Sequence, residues 1–578
     1  MTAPMPRQAA TSTLLAGALA ALLLTSCGGG GGGDAAAPAP PAPPAPPAGS
    51  NDITDASALL AGGATSVSRI DVDAFGQPAA NLDFIGDGLF EAGNHLFRTP
   101  RNGFKGTGPL FNAQSCQGCH VRDGRGSPPL NAQNPAVDAG PLVSMLLRLS
   151  AQDAADPLAG YDAFSGGVPD PVYGRQLQTR SAWGDGVDPD GSARHDASLN
   201  GGPALGEAQV RVRYDIVSGT YPDGTAYTLL KPVLRVGAAS YGSFAAAIRF
   251  SPRVAPPVFG SGLLGAITEA DILAREDAAD ANGDGVSGRA NRVWSAQAGG
   301  TQVGRFGLKA GSATVLDQTA GAYRGDMGLT SSLARTEPCT ALQTACLTAA
   351  ANEQAAYQEP AGLDLSDLEL AQVEFYTRTL AVPRPRGWDA TTRAWSPDVA
   401  EGRRLFQSVG CSNCHTPSHT TGNAAGSALG DIRNLTELAR PAVEVAQLSR
   451  QKIWPYTDLL LHDMGGSCTV TRETDAGAAC TAGADCHWVQ RCDGLADGAT
   501  EFMASGREWR TSPLWGLGLT KTVNPQAGFL HDGRARTIEE AVLWHGQTSD
   551  SEAYGAWSRF VALTAAARAQ LLQFLGSL

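Results

Sequence analysis

The stretch SCQGCHVRDG, residues 115–124, carries two cysteines three positions apart and a histidine directly after the second. A second stretch, VGCSNCHTPSH, repeats the arrangement at Cys411, Cys414 and His415. Random placement of this chain's cysteines and histidines would yield on the order of a few thousandths of one C-x-x-C-H, so two copies are a signal. Residues three apart on a helical turn face the same way. Both sulfurs of a pair can therefore form thioethers with the two vinyl groups of one porphyrin, while the adjoining imidazole reaches the iron. The chain is thus expected to hold two covalently bound haem c groups, through Cys116 and Cys119 with His120, and through Cys411 and Cys414 with His415. A zinc site would have to join pairs almost three hundred residues apart, where structural zinc normally gathers ligands within a short segment. A thioredoxin-like site expects C-x-x-C inside a βαβ pattern and leaves both histidines unexplained.

The N-terminus fits export. Arg7 precedes an apolar run at 14–24 that is too short to span a bilayer, and Leu-Thr-Ser-Cys ends at Cys27. This pattern suits a lipoprotein signal over residues 1–27; ordinary signal cleavage nearby is the alternative. Glycines and Pro-Ala repeats at 28–50 cannot build a core and read as a tether. The expected location is a bacterial periplasm, lipid-anchored to the membrane, the outer one favoured. Six cysteines remain beyond Cys27 and the motifs, an even number that suits disulfides in an exported protein. Cys339–Cys346 is the obvious pair; Cys468, Cys480, Cys486 and Cys492 allow three connectivities. A second metal site at Cys486, His487 and Cys492 is a further option. Net charge is −13 with no dense basic block, which argues against nucleic acid as a partner.

About 530 residues follow the tether, room for more than one domain. The segment 208–236 alternates apolar and polar residues around Pro-Asp-Gly, as a β-hairpin does. LSDLELAQVEFYTRTLAVPRPR, 365–386, reads as a helix opened by a Ser366/Glu369 capping box and stopped by prolines. A domain boundary is placed after it, at 385, and an amphipathic helix closes the chain at 564–578. In DANGDGVSGRAN, 280–291, Asp280, Asn282, Asp284 and Gly285 match the first half of a calcium loop, but the twelfth position is Asn291 instead of glutamate. An Asx-rich turn without an ion explains the loop equally well.

The stretches GPLFNAQSCQGCHVRDGRGSPP, PDPVYGRQLQ, GRFGLKAG, GRRLFQSVGCSNCHTP, YTDLLLHDMG, REWRTSPLWGLG and FLHDGRARTIEEAVLWHG together resemble the bacterial di-haem oxidoreductases labelled peroxidases or thiol oxidoreductases. These are distant relatives of di-haem cytochrome c peroxidases and of the enzyme that matures methylamine dehydrogenase. The resemblance implies a mainly α protein. It would have two cytochrome c-like haem domains, 51–385 and 386–578, with a β-containing insertion in the N-terminal half. It also implies one haem for chemistry and one for electron delivery. Thiol chemistry is discounted, because haem attachment consumes the cysteines. Counting along FLHDGRARTIEEAVLWH places His545 where the peroxidases have a methionine ligand, so His415 and His545 would ligate the second haem. A second imidazole lowers haem potential relative to a thioether. Spacing alone leaves Met464 and His545 equal, with His531 a further rival.

After His120 no histidine follows until His195, so an open distal face is expected there, with His95, Glu207 and Met327 as conceivable neighbours. The expected function is a peroxidase-like oxidoreductase: a small peroxide or redox substrate meets the first haem, and an external donor such as a small cytochrome or cupredoxin feeds the second. The alternatives are an oxygenase like the exported di-haem enzymes that cleave polyisoprenoids, and a non-catalytic electron-transfer lipoprotein.

Overall fold

A computed structural model describes residues 55–578 apart from 102–106, 154, 182–205, 358–361, 434–437, 439–442 and 482–484. The leader, Cys27 and the tether lie outside the described residues.

Each C-x-x-C-H follows a helix that crosses a second helix much later in the chain. Phe84–Arg98 is opened by Asp83, whose carboxylate accepts from the Gly86 N–H. It packs on Asp367–Thr379, where Ser366 and Glu369 form the capping box read from sequence. The crossing is close: a methyl built on Gly93 would lie 2.2 Å from the Gln372 carbonyl oxygen. Pro397–Ser408 packs in the same way on Ala565–Ser577. There a methyl on Gly402 would lie 2.0 Å from the Gln570 carbonyl oxygen. Both early helices read G-x-x-L-F, and the phenylalanine serves the same purpose twice. Phe97 lies 6.2 Å from the His120 ring and 5.2 Å from Tyr376; Phe406 lies 6.3 Å from the His415 ring and 5.4 Å from Phe574. Glycine lets the backbones approach, and the aromatic one turn later fills the space toward the motif.

The expectation of a mainly α protein is overturned. Helix accounts for 27% and strand for 21%, spread over many small sheets, which is close to an ordinary mixed composition. The β structure is also not an insertion confined to the N-terminal half. The hairpin read at 208–236 forms as Gln209–Thr220 and Ala226–Gly237. Its second strand then pairs with His487–Cys492, and that strand with Cys468–Glu473. The four-stranded antiparallel sheet therefore takes strands from both sides of residue 385. A three-stranded antiparallel sheet has Met145–Ser150 at its centre, flanked by Gln176–Leu177 and Arg249–Val254. Long-range pairing converts stretches that look like loops into strands, and no local pattern announces it.

Cys339 is bonded to Cys346, Cys468 to Cys492 and Cys480 to Cys486. A metal site at Cys486, His487 and Cys492 is thereby ruled out, because both its sulfurs are consumed in different disulfides. Among the described residues no helix is long and apolar enough to cross a membrane.

Candidate functional site

The two motifs fold alike. In the first, the Ser115 hydroxyl accepts from the Gly118 N–H and Cys116–Cys119 makes one helical turn, after which the His120 N–H returns to the Cys116 carbonyl at 2.9 Å. In the second, the His415 N–H returns to the Cys411 carbonyl at 3.0 Å. All four cysteines carry free thiols, whereas the other six described are bonded in pairs. Burial pushes the Cys116, Cys119 and Cys411 thiols up to about 12. Thiol exchange needs a thiolate, so these groups are poorly suited to it. The zinc reading also finds no geometry: no group of three or more His, Cys, Asp or Glu that could hold a metal ion forms among the described residues.

The histidines carry the clearest signature. His120 Nδ1 is 2.7 Å from the Pro256 carbonyl oxygen, and His415 Nδ1 is 2.9 Å from that of Tyr456. A carbonyl can only accept, so Nδ1 is the protonated nitrogen in each ring and Nε2 keeps its lone pair. His545 repeats the arrangement, Nδ1 lying 2.7 Å from the Ala541 carbonyl oxygen. No hydrogen bond from these three Nε2 atoms to a described residue is present. His419 and His462 differ, since both nitrogens of each ring are taken by described acceptors. An imidazole anchored through one nitrogen and bare at the other is a preformed metal ligand.

His545 reaches its place through local signals. Thr537 caps the helix Ile538–Trp544, with Glu539 and Glu540 in the first turn, and His545 follows its last residue. Upstream, Asp532 and Arg534 form a buried pair at 2.7 Å, and the Arg534 guanidinium lies over Trp544 at 4.7 Å. The His415 and His545 rings are near enough that burial, with His545 as a further cause, holds the His415 imidazole down to about 4. Met464 packs at the edge of the main core, and its backbone N–H is bonded to the Arg507 carbonyl. His531 stacks on Trp509 at 3.9 Å, its Nε2 3.6 Å from Asp532 and without a hydrogen-bond partner among the described residues.

A cavity of about 530 Å³ opens on the first motif, with Cys116, Cys119, His120 and Phe97 in its wall. Haem fits these features: a large partly apolar space, two sulfurs on one turn at its edge, and a bare imidazole nitrogen facing it. Of the three neighbours expected there, Met327 lines the cavity. His95 is exposed on its helix, near Thr99. Glu207 is buried behind the wall, its carboxylate accepting from Gln343 and, at 2.5 Å, from the Gln178 N–H. Three carboxylates border the cavity, Asp317, Glu501 and Asp326, the last next to Met327 in GDMG. Gln176 Nε2 holds Asp326 at 2.9 Å, and burial raises its proton affinity. Sequence reasoning stopped one residue away, at Met327; only the Gln176 contact distinguishes Asp326.

The acidic loop at 280–285 is tied to itself. Asp280 accepts from the Asp284 and Gly285 N–H groups, Asn282 from that of Asp284, and Asp284 from that of Val286. Asp284 also takes the side-chain amide of Asn413, inside the second motif, at 3.1 Å.

A family model described as "Di-haem oxidoreductase, putative peroxidase" matches residues 55–481 and 483–578. No curated protein sequence matches. Among solved structures, hydrazine synthase of Kuenenia stuttgartiensis pressurized with 20 bar xenon is 16% identical over 40% of this chain. The match covers 62% of that protein's chain, at a TM-score of 0.20.

Proposed function

Because the chain belongs to the di-haem oxidoreductase family, we propose that it is an exported, peroxidase-like enzyme whose two motifs have different roles. The observation that carries this reading is an asymmetry. The first motif presents one bare imidazole to a large cavity, whereas the second has two imidazoles near each other. An open face admits an oxidant, while two ligands close an iron to chemistry and leave it for electron transfer.

In this proposal Cys116, Cys119 and His120 hold the first haem, and Cys411, Cys414, His415 and His545 the second, both covalently. These haems supply the redox iron. Reducing one peroxide to two waters takes two electrons and two protons, and the chain must deliver the protons. Asp326 is the proton donor in this reading, since it borders the cavity and Gln176 fixes one of its oxygens. Burial raises its proton affinity, so a proton is available nearer neutral pH than on an ordinary aspartate. The loop at 280–285 is read as a prop for Asn413 and not as a calcium site. An external donor, a small cytochrome or cupredoxin, feeds the second haem. Lipidation at Cys27 would hold the protein to the periplasmic face of a membrane, and three disulfides suit that oxidising compartment.

Visible and EPR spectra before and after peroxide test the reading. We expect two haems that survive denaturation, one high-spin and one low-spin, and consumption of peroxide with a reduced donor. Asp326→Asn should lower peroxide turnover by about 100-fold or more with both haem signals intact. Two six-coordinate haems that ignore peroxide would replace the enzyme by an electron carrier.

A further inference from the structure

The three-stranded sheet has two chemically opposite faces. Leu147, Leu149, Leu177, Phe250 and Val254 fill a buried core on one side. The alternate residues Leu146, Arg148, Gln176 and Arg253 line the cavity of the first motif on the other. Antiparallel sheets commonly turn a polar face to bulk water. Here that face is the wall of a cavity, so its charge calls for a partner.

The carboxylates present do not supply enough of one. Arg253 is paired with Glu501 at 2.5 Å. Arg175 reaches the same wall and donates to the Leu149 and Thr500 carbonyls, both at 2.9 Å. The Arg148 guanidinium makes no hydrogen bond and no ion pair with any described residue, and its charge acts at longer range on Asp326 and Glu501. Arg148, Arg175 and Arg253 thus face Asp326 and Glu501; Arg324, a further guanidinium of the wall, donates to the Thr336 and Glu337 carbonyls, and the Asp317 carboxylate is taken by Ser295, Gln297 and Thr314. Leaving a guanidinium enclosed without an anion is costly.

The haem carboxylates do not account for this group. Thioether bonds would fix the vinyl edge of the porphyrin at Cys116 and Cys119, and Asp326 is tied to the chain just before them, its carbonyl accepting from the Asn112 and Ala113 N–H groups at 2.8 and 2.9 Å. Gln176, bonded to Asp326, is the direct strand partner of Arg148. Arg148 therefore belongs to the vinyl end, while the propionates leave from the opposite edge. Arg125, Arg305 and Arg510, which also line the cavity, donate to backbone carbonyls and remain for the propionates.

We propose that Arg148, supported by Arg175, is an anion subsite in this cavity, and that the ligand it takes beside the first haem is an organic carboxylate. A guanidinium matches a carboxylate with two parallel N–H donors, which a neutral group of the same shape cannot use. The apolar remainder of such an acid has a place as well. Phe164, 67% exposed, and Trp294 meet edge to face at 4.9 Å where the cavity opens, and Phe502 lines it further. The inference rests on the reading of the first-motif cavity as the reactive one.

Calorimetric titration of the di-haem protein with benzoate, and with benzamide as the neutral counterpart, tests it. Benzoate should bind at least about tenfold tighter than benzamide, the scale of one charged hydrogen bond. Arg148→Gln should abolish that preference with haem content unchanged, and Arg148→Lys should retain part of it. Equal binding of the two probes by the wild type overturns the proposal without any variant. So does a preference that survives Arg148→Gln, or an Arg148→Gln protein that keeps the preference but sheds haem. Benzoate preference without peroxide turnover would remove the peroxidase reading and leave the subsite; turnover without the preference would do the reverse.

Discussion

Nitrogen by nitrogen, the histidines divide by what their second ring nitrogen does. His120, His415 and His545 each give Nδ1 to a carbonyl and leave Nε2 bare, and this separates them from His419 and His462, whose rings are held at both nitrogens. The division makes the second haem testable. With His545 as ligand, the oxidised protein should lack the long-wavelength band of sulfur–iron bonding and show a bis-imidazole low-spin signal. His545→Met should introduce the sulfur band and raise the potential of that haem, and Met464→Leu should leave the spectrum unchanged. A sulfur band lost in Met464→Leu would transfer the role to Met464. Glu207 offers a test of the scaffold behind the cavity. Burial pushes its carboxyl from 4.5 up to about 8. The folded state therefore holds a proton that the unfolded state releases, and its contribution is full below roughly pH 4.5 and lost as pH rises through about 8. In Glu207→Gln, Gln343 can turn its amide over to restore the contact. The melting temperature should then fall less between roughly pH 5 and 8 than in the wild type.

At the scale of elements, two helix crossings do the same job for two motifs. Each depends on one glycine, and each carries its aromatic toward the motif histidine. Gly402→Ala would drive a methyl into the Gln570 carbonyl, so Pro397–Ser408 must shift on Ala565–Ser577. The expected loss is about 2–4 kcal/mol in denaturant unfolding, with the second haem released before the first. Gly88→Ala is the control. Its added methyl meets nothing within 4 Å on an exposed helical face, so it should be neutral or stabilise by about 0.5–1 kcal/mol. The G-x-x-L-F repeat was visible in the sequence, as were the capping box at Ser366 and the Pro-Asp-Gly hairpin. The partners of these elements were not. Gln176–Leu177 is a two-residue strand, too short for any pattern, yet it carries the glutamine that positions Asp326.

Taken as a whole molecule, the chain joins its halves through the four-stranded sheet, in which Ala226–Gly237 pairs with His487–Cys492. That sheet also makes the pairing of the last four cysteines legible: Cys468 and Cys492 face each other across adjacent strands, which selects one of three connectivities. The proposed lipidation at Cys27 is tested at this scale too. Cys27→Ser should abolish lipid labelling and move the protein to the soluble periplasmic fraction with its haem content unchanged. Wild-type protein that already fractionates as soluble would mean plain secretion instead.

The sequence by itself determined the two C-x-x-C-H motifs, because the motif is a local geometry within one helical turn. It also determined the caps and turns, whose hydrogen bonds close within a few residues. The proportion of sheet, the third imidazole's place near His415, and the charged wall of the first cavity were decided only by tertiary structure. Each joins residues tens to hundreds apart: His415 with His545, Arg148 with Ser251, Asp326 with Gln176. Such pairings follow from which apolar faces bury one another across the whole chain, and no window of sequence contains that information.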